Sequence, residues 1–159
     1  MYYEETLPIT VLYIDDEASN LQAFAAVFRR EFEVLTAQSA REGLEILAEK
    51  KVHVILCDQR MPEVTGVEFF EMILQRFPQP IRILITGYAD INVVIDAINK
   101  GEVYKYLTKP WNDDDIRNFI IKAHEVYTLR EENERLLQQV KENKEKLKAF
   151  GIDIHDIGD

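Results

Sequence analysis

Five short runs of mostly Val, Ile and Leu recur along the chain, each followed by a segment with helical spacing, and this alternation limits the fold more than any other feature. The runs are Ile9–Ile14, Glu33–Thr36, Val52–Cys57, Ile81–Thr86 and Val103–Leu107. Several are apolar at consecutive rather than alternate positions, the pattern of a strand buried on both faces. Between them lie Ala18–Arg29, Ala40–Glu49, Gly66–Arg76 and Ile91–Lys100. Their apolar residues fall three and four apart, as at Leu44, Leu47 and Ala48, or Val67, Phe70, Met72 and Leu74. Pro62, Gly66, Pro78, Pro80, Gly87, Gly101 and Pro110 punctuate the joins. Strand and helix alternating in this way predict an α/β fold, a doubly wound five-stranded parallel sheet covered on both faces. In such a sheet the functional crevice lies at the carboxyl ends of the strands.

Composition narrows the function. A chain of 159 residues, 47% hydrophobic, suits one packed domain with an appendage. No apolar run approaches the ~20 residues of a membrane span. The start, Met1-Tyr-Tyr-Glu-Glu, lacks the positive region and apolar stretch of a signal peptide. Cys57 is the sole cysteine, so no internal disulfide forms. A soluble cytoplasmic protein without a membrane partner is expected. The net charge of −10 is concentrated in residues 1–120, which hold 12 basic and 20 acidic side chains. No basic patch emerges, which argues against direct nucleic-acid binding. The excess acid serves solubility, or gathers around a cation.

The strand ends carry the chemistry. Asp15, Asp16 and Glu17 follow the first strand, Asp58 the third and Lys109 the fifth, while Thr86 ends the fourth. The fold places all of them on one rim of the sheet. Carboxylates converging there repel one another without a cation, and one or two carboxylates plus waters suit Mg2+. One Asp could then attack phosphorus and form an acyl phosphate. The metal and a lysine would neutralise the phosphoryl oxygens, and the Thr86 hydroxyl would bond the new group. Each piece alone is commonplace; their joint arrangement on four strand ends is not.

Four blocks carry a resemblance. Val11-Leu-Tyr-Ile-Asp15-Asp16-Glu17, Asp58-Gln-Arg-Met-Pro62 with Gly66, Ile83-Leu-Ile-Thr86-Gly-Tyr, and Tyr106-Leu-Thr-Lys109-Pro110-Trp111 resemble a response-regulator receiver domain over about residues 7–124. The resemblance implies a phosphorylatable switch of a bacterial two-component system. Asp58 is then the phosphoacceptor, served by a histidine kinase or phosphotransfer protein. Asp16 binds Mg2+ directly, Asp15 through water, and Asp58 and the Arg60 backbone carbonyl complete the metal site. Thr86 and Lys109 bind the phosphoryl group, and Tyr106 is the aromatic that turns inward when Thr86 moves. The side chains of Arg60 and Tyr88, two residues after Asp58 and Thr86, would overhang the acyl phosphate and slow its hydrolysis. Met61-Pro62 is read as backbone shape, and Cys57 as buried core rather than reactive thiol.

The fifth helix is predicted to start at Asn112, an N-cap followed by Asp113, Asp114 and Asp115. No Gly or Pro interrupts the chain from there to Phe150. Val126, Leu129, Asn133, Leu136, Val140, Asn143, Leu147 and Phe150 follow intervals of three and four, a heptad seam. At ~1.5 Å per residue its last 25 residues project ~37 Å, beyond any core of its own domain. A parallel homodimer is expected, with paired Asn133 amides fixing register and Glu125 facing Arg130 across the pair. The chain thus divides into an N-terminal extension (1–6), the receiver (7–124), a coiled-coil helix (125–150) and a tail (151–159). The tail, with His155-Asp156, reads as the start of a truncated output domain or as uninformative. By the resemblance, coil-joined receivers precede enzymatic outputs, while the receiver itself promotes only its own phosphorylation and dephosphorylation. The rival readings are an Mg2+-dependent aspartyl phosphohydrolase and a structural dimer module without switching. A transcription factor would require a DNA-binding domain further along.

Overall fold

The computed structural model describes residues 7–152. Five strands, β1 (Thr10–Ile14), β2 (Glu33–Ala37), β3 (Val54–Asp58), β4 (Ile81–Thr86) and β5 (Lys105–Thr108), form one parallel sheet in the order β2-β1-β3-β4-β5. Helices α1 (Ala18–Phe28), α2 (Ala40–Glu49), α3 (Gly66–Ile73), α4 (Ile91–Asn99) and α5 (Asp113–Ala149) connect or follow them. The doubly wound α/β expectation is met.

The consecutive apolar runs have a plain cause. Every residue of β1, β3 and β4 is buried, and alternate side chains enter two separate cores. Val11, Tyr13, Val54, Leu56, Ile83 and Ile85 pack with α1 and α5. Leu12, Ile14, Ile55, Cys57 and Leu84 pack on the opposite face with α2, α3 and α4. The edge strands β2 and β5 are partly exposed, and there the runs are shorter and more polar.

Several boundaries differ from the sequence reading. Asp58 is the last residue of β3 rather than the residue after it. β5 begins at Lys105 rather than Val103, with the Tyr104 N–H donating to the Arg82 carbonyl as the chain enters the sheet. A 3-10 turn, Tyr88–Asp90, precedes α4 and was not expected. Helix α3 stops at Ile73.

Helix starts follow local chemistry. Ser39 accepts the Glu42 N–H, Thr65 and Glu68 form a reciprocal capping box, and Asn112 accepts the Asp114 N–H. Helix α5 buries Ile116, Ile120, Ala123 and Tyr127 against the sheet. Its attachment runs past residue 124: the Tyr127 hydroxyl donates to Glu131 Oε1 at 3.1 Å, and Lys51 Nζ lies 3.4 Å from the same oxygen. His53 wedges beneath this root, accepting the Thr10 N–H at 2.9 Å and meeting the His124 and Tyr127 rings edge-on. From Thr128 to Lys146 every residue is exposed. The helix ends in a Schellman motif: Gly151 adopts φ +79°, and the N–H groups of Ile152 and Gly151 donate to the carbonyls of Leu147 and Lys148. The tail motif at His155-Asp156 and the N-terminal extension lie outside the described residues.

Candidate functional site

Strand register brings the rim together. Ile14 lies beside Ala37 and Cys57, Asp58 beside Ile85, and Thr86 beside Thr108. The residues that follow β1 and β5 therefore face those that end β3 and β4 across one crevice. Asp15 is fully buried there and its carboxylate is held by three donors. Tyr13 Oη and Asn20 Nδ2 donate to Oδ2 at 2.8 and 3.1 Å, and the Glu17 N–H donates to Oδ1 at 2.9 Å. Burial and the adjoining Asp15 charge push the Tyr13 phenol far above its ordinary range, so it remains a proton donor.

Asp58 is buried except for its outer edge. One carboxylate oxygen from each of Asp15, Asp16 and Asp58 lies within 4.8 Å of the others. Lys109 reaches in from beyond β5, its Nζ 3.3 Å from Asp58 Oδ1 and 3.8 Å from Asp15 Oδ2. Burial raises the Asp58 pKa above the usual carboxylate range, Lys109 opposes the rise, and Asp15 and Asp16 add to it. Three carboxylates thus share one ammonium, an excess of negative charge that a hard divalent cation would relieve. The donor set fits such an ion. Asp16 is exposed, and no protein group donates to its carboxylate among the described residues, which suits direct ligation. Asp15 already accepts on both oxygens, which suits contact through water.

The loop after β3 holds Asp58 in place through backbone geometry. The Gln59 N–H donates to the Ile85 carbonyl, its side-chain oxygen accepts the Val67 N–H, and its carbonyl accepts the Gly66 N–H. Glu63 turns at φ +71°, with the Val64 N–H bonded to the Pro62 carbonyl in a tight γ-turn, while the Met61 side chain packs against the core of α2, α3 and α4. Gly66 opens α3 against the strand: a Cβ there would sit 2.7 Å from the Asp58 carbonyl oxygen and 2.7 Å from Leu84 Cδ1. The leucine tip can move and the strand carbonyl cannot. Gly66→Ala is therefore expected to cost about 1–3 kcal/mol in urea unfolding. An unchanged midpoint would mean that α3 slides freely.

The family model for the response regulator receiver domain matches residues 11–121. The chain belongs to the response regulator receiver family. It is 41% identical over 127 residues to the hydrogenase transcriptional regulatory protein HoxA of Cupriavidus necator, covering 80% of this chain and 26% of that protein. The protein of the same name from Bradyrhizobium diazoefficiens is 38% identical over 125 residues, covering 79% and 26%. The chain thus spans about a quarter of the length of these curated relatives. Among solved structures, an adenylate cyclase from Rhodopirellula baltica superposes with a TM-score of 0.80 at 30% identity, covering 83% of this chain and 98% of that one.

The receiver brings Asp15, Asp16, Asp58 and Lys109 together, but other expected groups face elsewhere. Thr86 is buried with its hydroxyl donating to the Gly87 carbonyl at 3.1 Å. Tyr106 is half-buried against the core formed with α2, α3 and α4. The Arg60 Nε donates to Asp90 Oδ2 at 2.9 Å. Tyr88 lies in the 3-10 turn, and its side chain is outside the described set. Cys57 is fully buried and its thiol is pushed well above the ordinary range by burial, in keeping with a core role.

Along α5, Val126 packs against the receiver's own core and the Arg130 guanidinium lies 5.9 Å over the Tyr104 ring. Leu129, Leu136 and Val140 are 69%, 45% and 50% exposed, so nothing in the receiver itself covers the middle of the seam. Tyr13 and Asn20 escaped the sequence reading. Tyr13 was legible in principle, since period two places it on the same face as Asp15, and Asn20 lies in the first turn of α1.

Proposed function

We propose that this receiver is a phosphorylation-dependent switch whose phosphoacceptor is Asp58 and whose output runs through α5. The gathering of Asp15, Asp16 and Asp58 around Lys109 carries the reading. A histidine kinase or phosphotransfer protein serves as donor. An Asp58 carboxylate oxygen bonds to phosphorus as the phosphorus–nitrogen bond of the donor phosphohistidine breaks and the imidazole leaves. Asp15, Asp16, Asp58 and the Arg60 carbonyl would hold Mg2+, which when bound would supply charge neutralisation at the phosphoryl oxygens. Lys109 sits where it can pair with the transferred group, and the Tyr13 and Asn20 donors keep Asp15 aimed at the site. Thr86 gives up its Gly87 partner to bond the phosphoryl group, and Tyr106 moves further into the space this opens. The receiver acts on its own phosphoryl group and is not otherwise an enzyme; the Gln59 amide is engaged with α3, which weighs against an acid/base pair for turnover of free phosphoesters.

The seam of Val126, Leu129, Asn133, Leu136, Val140, Asn143 and Leu147 pairs with a second copy in a parallel coil, carrying the switch to a downstream output. The two HoxA relatives are named as transcriptional regulators, which favours an output that acts on transcription. That proposal assigns nucleic-acid binding to the output rather than to the receiver. Light scattering with and without Mg2+ and beryllofluoride, with Asp58→Ala as control, tests the whole. A dimer that forms or changes shape only with the mimic, and only with Asp58 present, is the expected result. A monomer throughout would remove the coil from the mechanism.

A further inference from the structure

The N-cap of helix α4 is Asp90, a residue type that ranks among the best N-caps, yet its side chain makes no cap bond. The other good capping residues at helix starts, Ser39, Thr65 and Asn112, all cap, with ψ at 162°, 162° and 136°. Asp90 has φ −105° and ψ 8°, held in the 3-10 turn, and its carboxylate is spent on Arg60 instead. Arg60 lies two residues after Asp58 and is 75% exposed, free to swing on a long stem. Exposed ion pairs of this kind are weak. A phosphoryl group on Asp58 brings nearly two negative charges and oxygens suited to a guanidinium fork.

We propose that Arg60 and Asp90 form a charge exchange: Arg60 leaves Asp90 for the phosphoryl oxygens on Asp58, and the released Asp90 carboxylate caps α4. The inference rests on the assignment of Asp58 as phosphoacceptor. Capping requires ψ of Asp90 to rotate to the extended range, so the Tyr88–Asp90 turn unwinds as the cap forms. That turn begins two residues after Thr86, on the same segment of chain. Asp58 already acts on Arg60: after the bond and charge of Asp90, the charge of Asp58 contributes to raising the guanidinium pKa. No bond is made or broken; Arg60 keeps its proton and only its partner changes.

The donors a cap would take are the N–H groups of Asn92 and Val93, and their hydrogen exchange, read by NMR on the whole chain, reports the switch. With Mg2+ and beryllofluoride, exchange at both amides is expected to slow by roughly threefold to tenfold in the wild type. Arg60→Gln should show most of that slowing without the mimic, because Asp90 is released. Asp90→Ala should show none in either condition, whereas Asp90→Asn, which caps without the ion pair, should be slow in both. If the Asp58 and Thr86 amides respond to the mimic while Asn92 and Val93 exchange is unchanged, the exchange is overturned and the Asp58 assignment stands. If no amide of the site responds, the Asp58 assignment fails and the exchange falls with it. Unchanged exchange in Arg60→Gln likewise overturns it.

Discussion

Asp58→Asn is expected to reduce phosphoryl uptake from a small acyl phosphate donor in Mg2+ to background and, at neutral pH, to melt above the wild type. The first effect follows from removing the nucleophile. The second follows from the charge balance of the crevice, where Asp15, Asp16 and Asp58 face one lysine and burial raises the Asp58 pKa. A carboxyl whose folded pKa is raised gives its full share of stability below the ordinary carboxylate range. It loses that share as pH rises through the raised value. At pH 7 the ionised side chain therefore costs stability, and an amide of the same shape does not. The gain from Asn should shrink as pH falls through the raised Asp58 value and be gone below about 4, where Asp58 is protonated in both the folded and unfolded chain. Mg2+ should stabilise the wild type more than the variant, by about 2.7 kcal/mol at a hundred times its dissociation constant if binding to the variant is lost. Uptake that persists in Asp58→Asn would place the nucleophile elsewhere. A variant less stable than wild type at neutral pH would mean that Lys109 more than compensates the crowding.

Leu136→Asp is expected to weaken self-association at least ~100-fold, about 2.7 kcal/mol, while leaving the melting of the receiver itself unchanged. Leu136 stands at a d position, 45% exposed in the single chain, with Leu129 and Val140 exposed on either side of it. A dimer buries one copy from each chain, and each buried Leu side chain is worth about 1.5–3 kcal/mol. The substitution removes both and sets two carboxylates against each other. The receiver's own hold on α5 ends at Tyr127 and Glu131, so position 136 does not touch it. Sedimentation equilibrium reads the association and calorimetry the melting. Association of undiminished strength would show that the copies meet through another surface. Val126 and Arg130 add a refinement: one packs on the receiver core and the other over Tyr104, so a second copy would share the first heptad with the receiver. The freest part of the coil begins at Leu129, one turn later than the spacing alone indicated.

Much of this protein is determined by local sequence. The unbroken apolar runs of β1, β3 and β4 specify strands buried on both faces, because only a sheet covered twice removes every side chain from water. Strand–helix alternation then places Asp15, Asp58, Thr86 and Lys109 on one rim without any knowledge of contacts. Ser39, Thr65, Asn112 and Gly151 mark helix ends through bonds that span only a few residues, so they too are legible in one dimension. What the tertiary structure decided are the partnerships between residues distant in sequence. Whether Arg60 serves Asp58 or Asp90 depends on how two loops sit side by side, 30 residues apart in the chain. Whether Asp90 caps its own helix depends on the same competition. Where α5 leaves the receiver is fixed by Tyr127 and Glu131 of the helix meeting Lys51 and His53 of the loop before β3, two segments distant in sequence. Periodicity encodes which face of an element is apolar; which polar group wins a shared partner is a comparison of distances that exist only once the chain has folded.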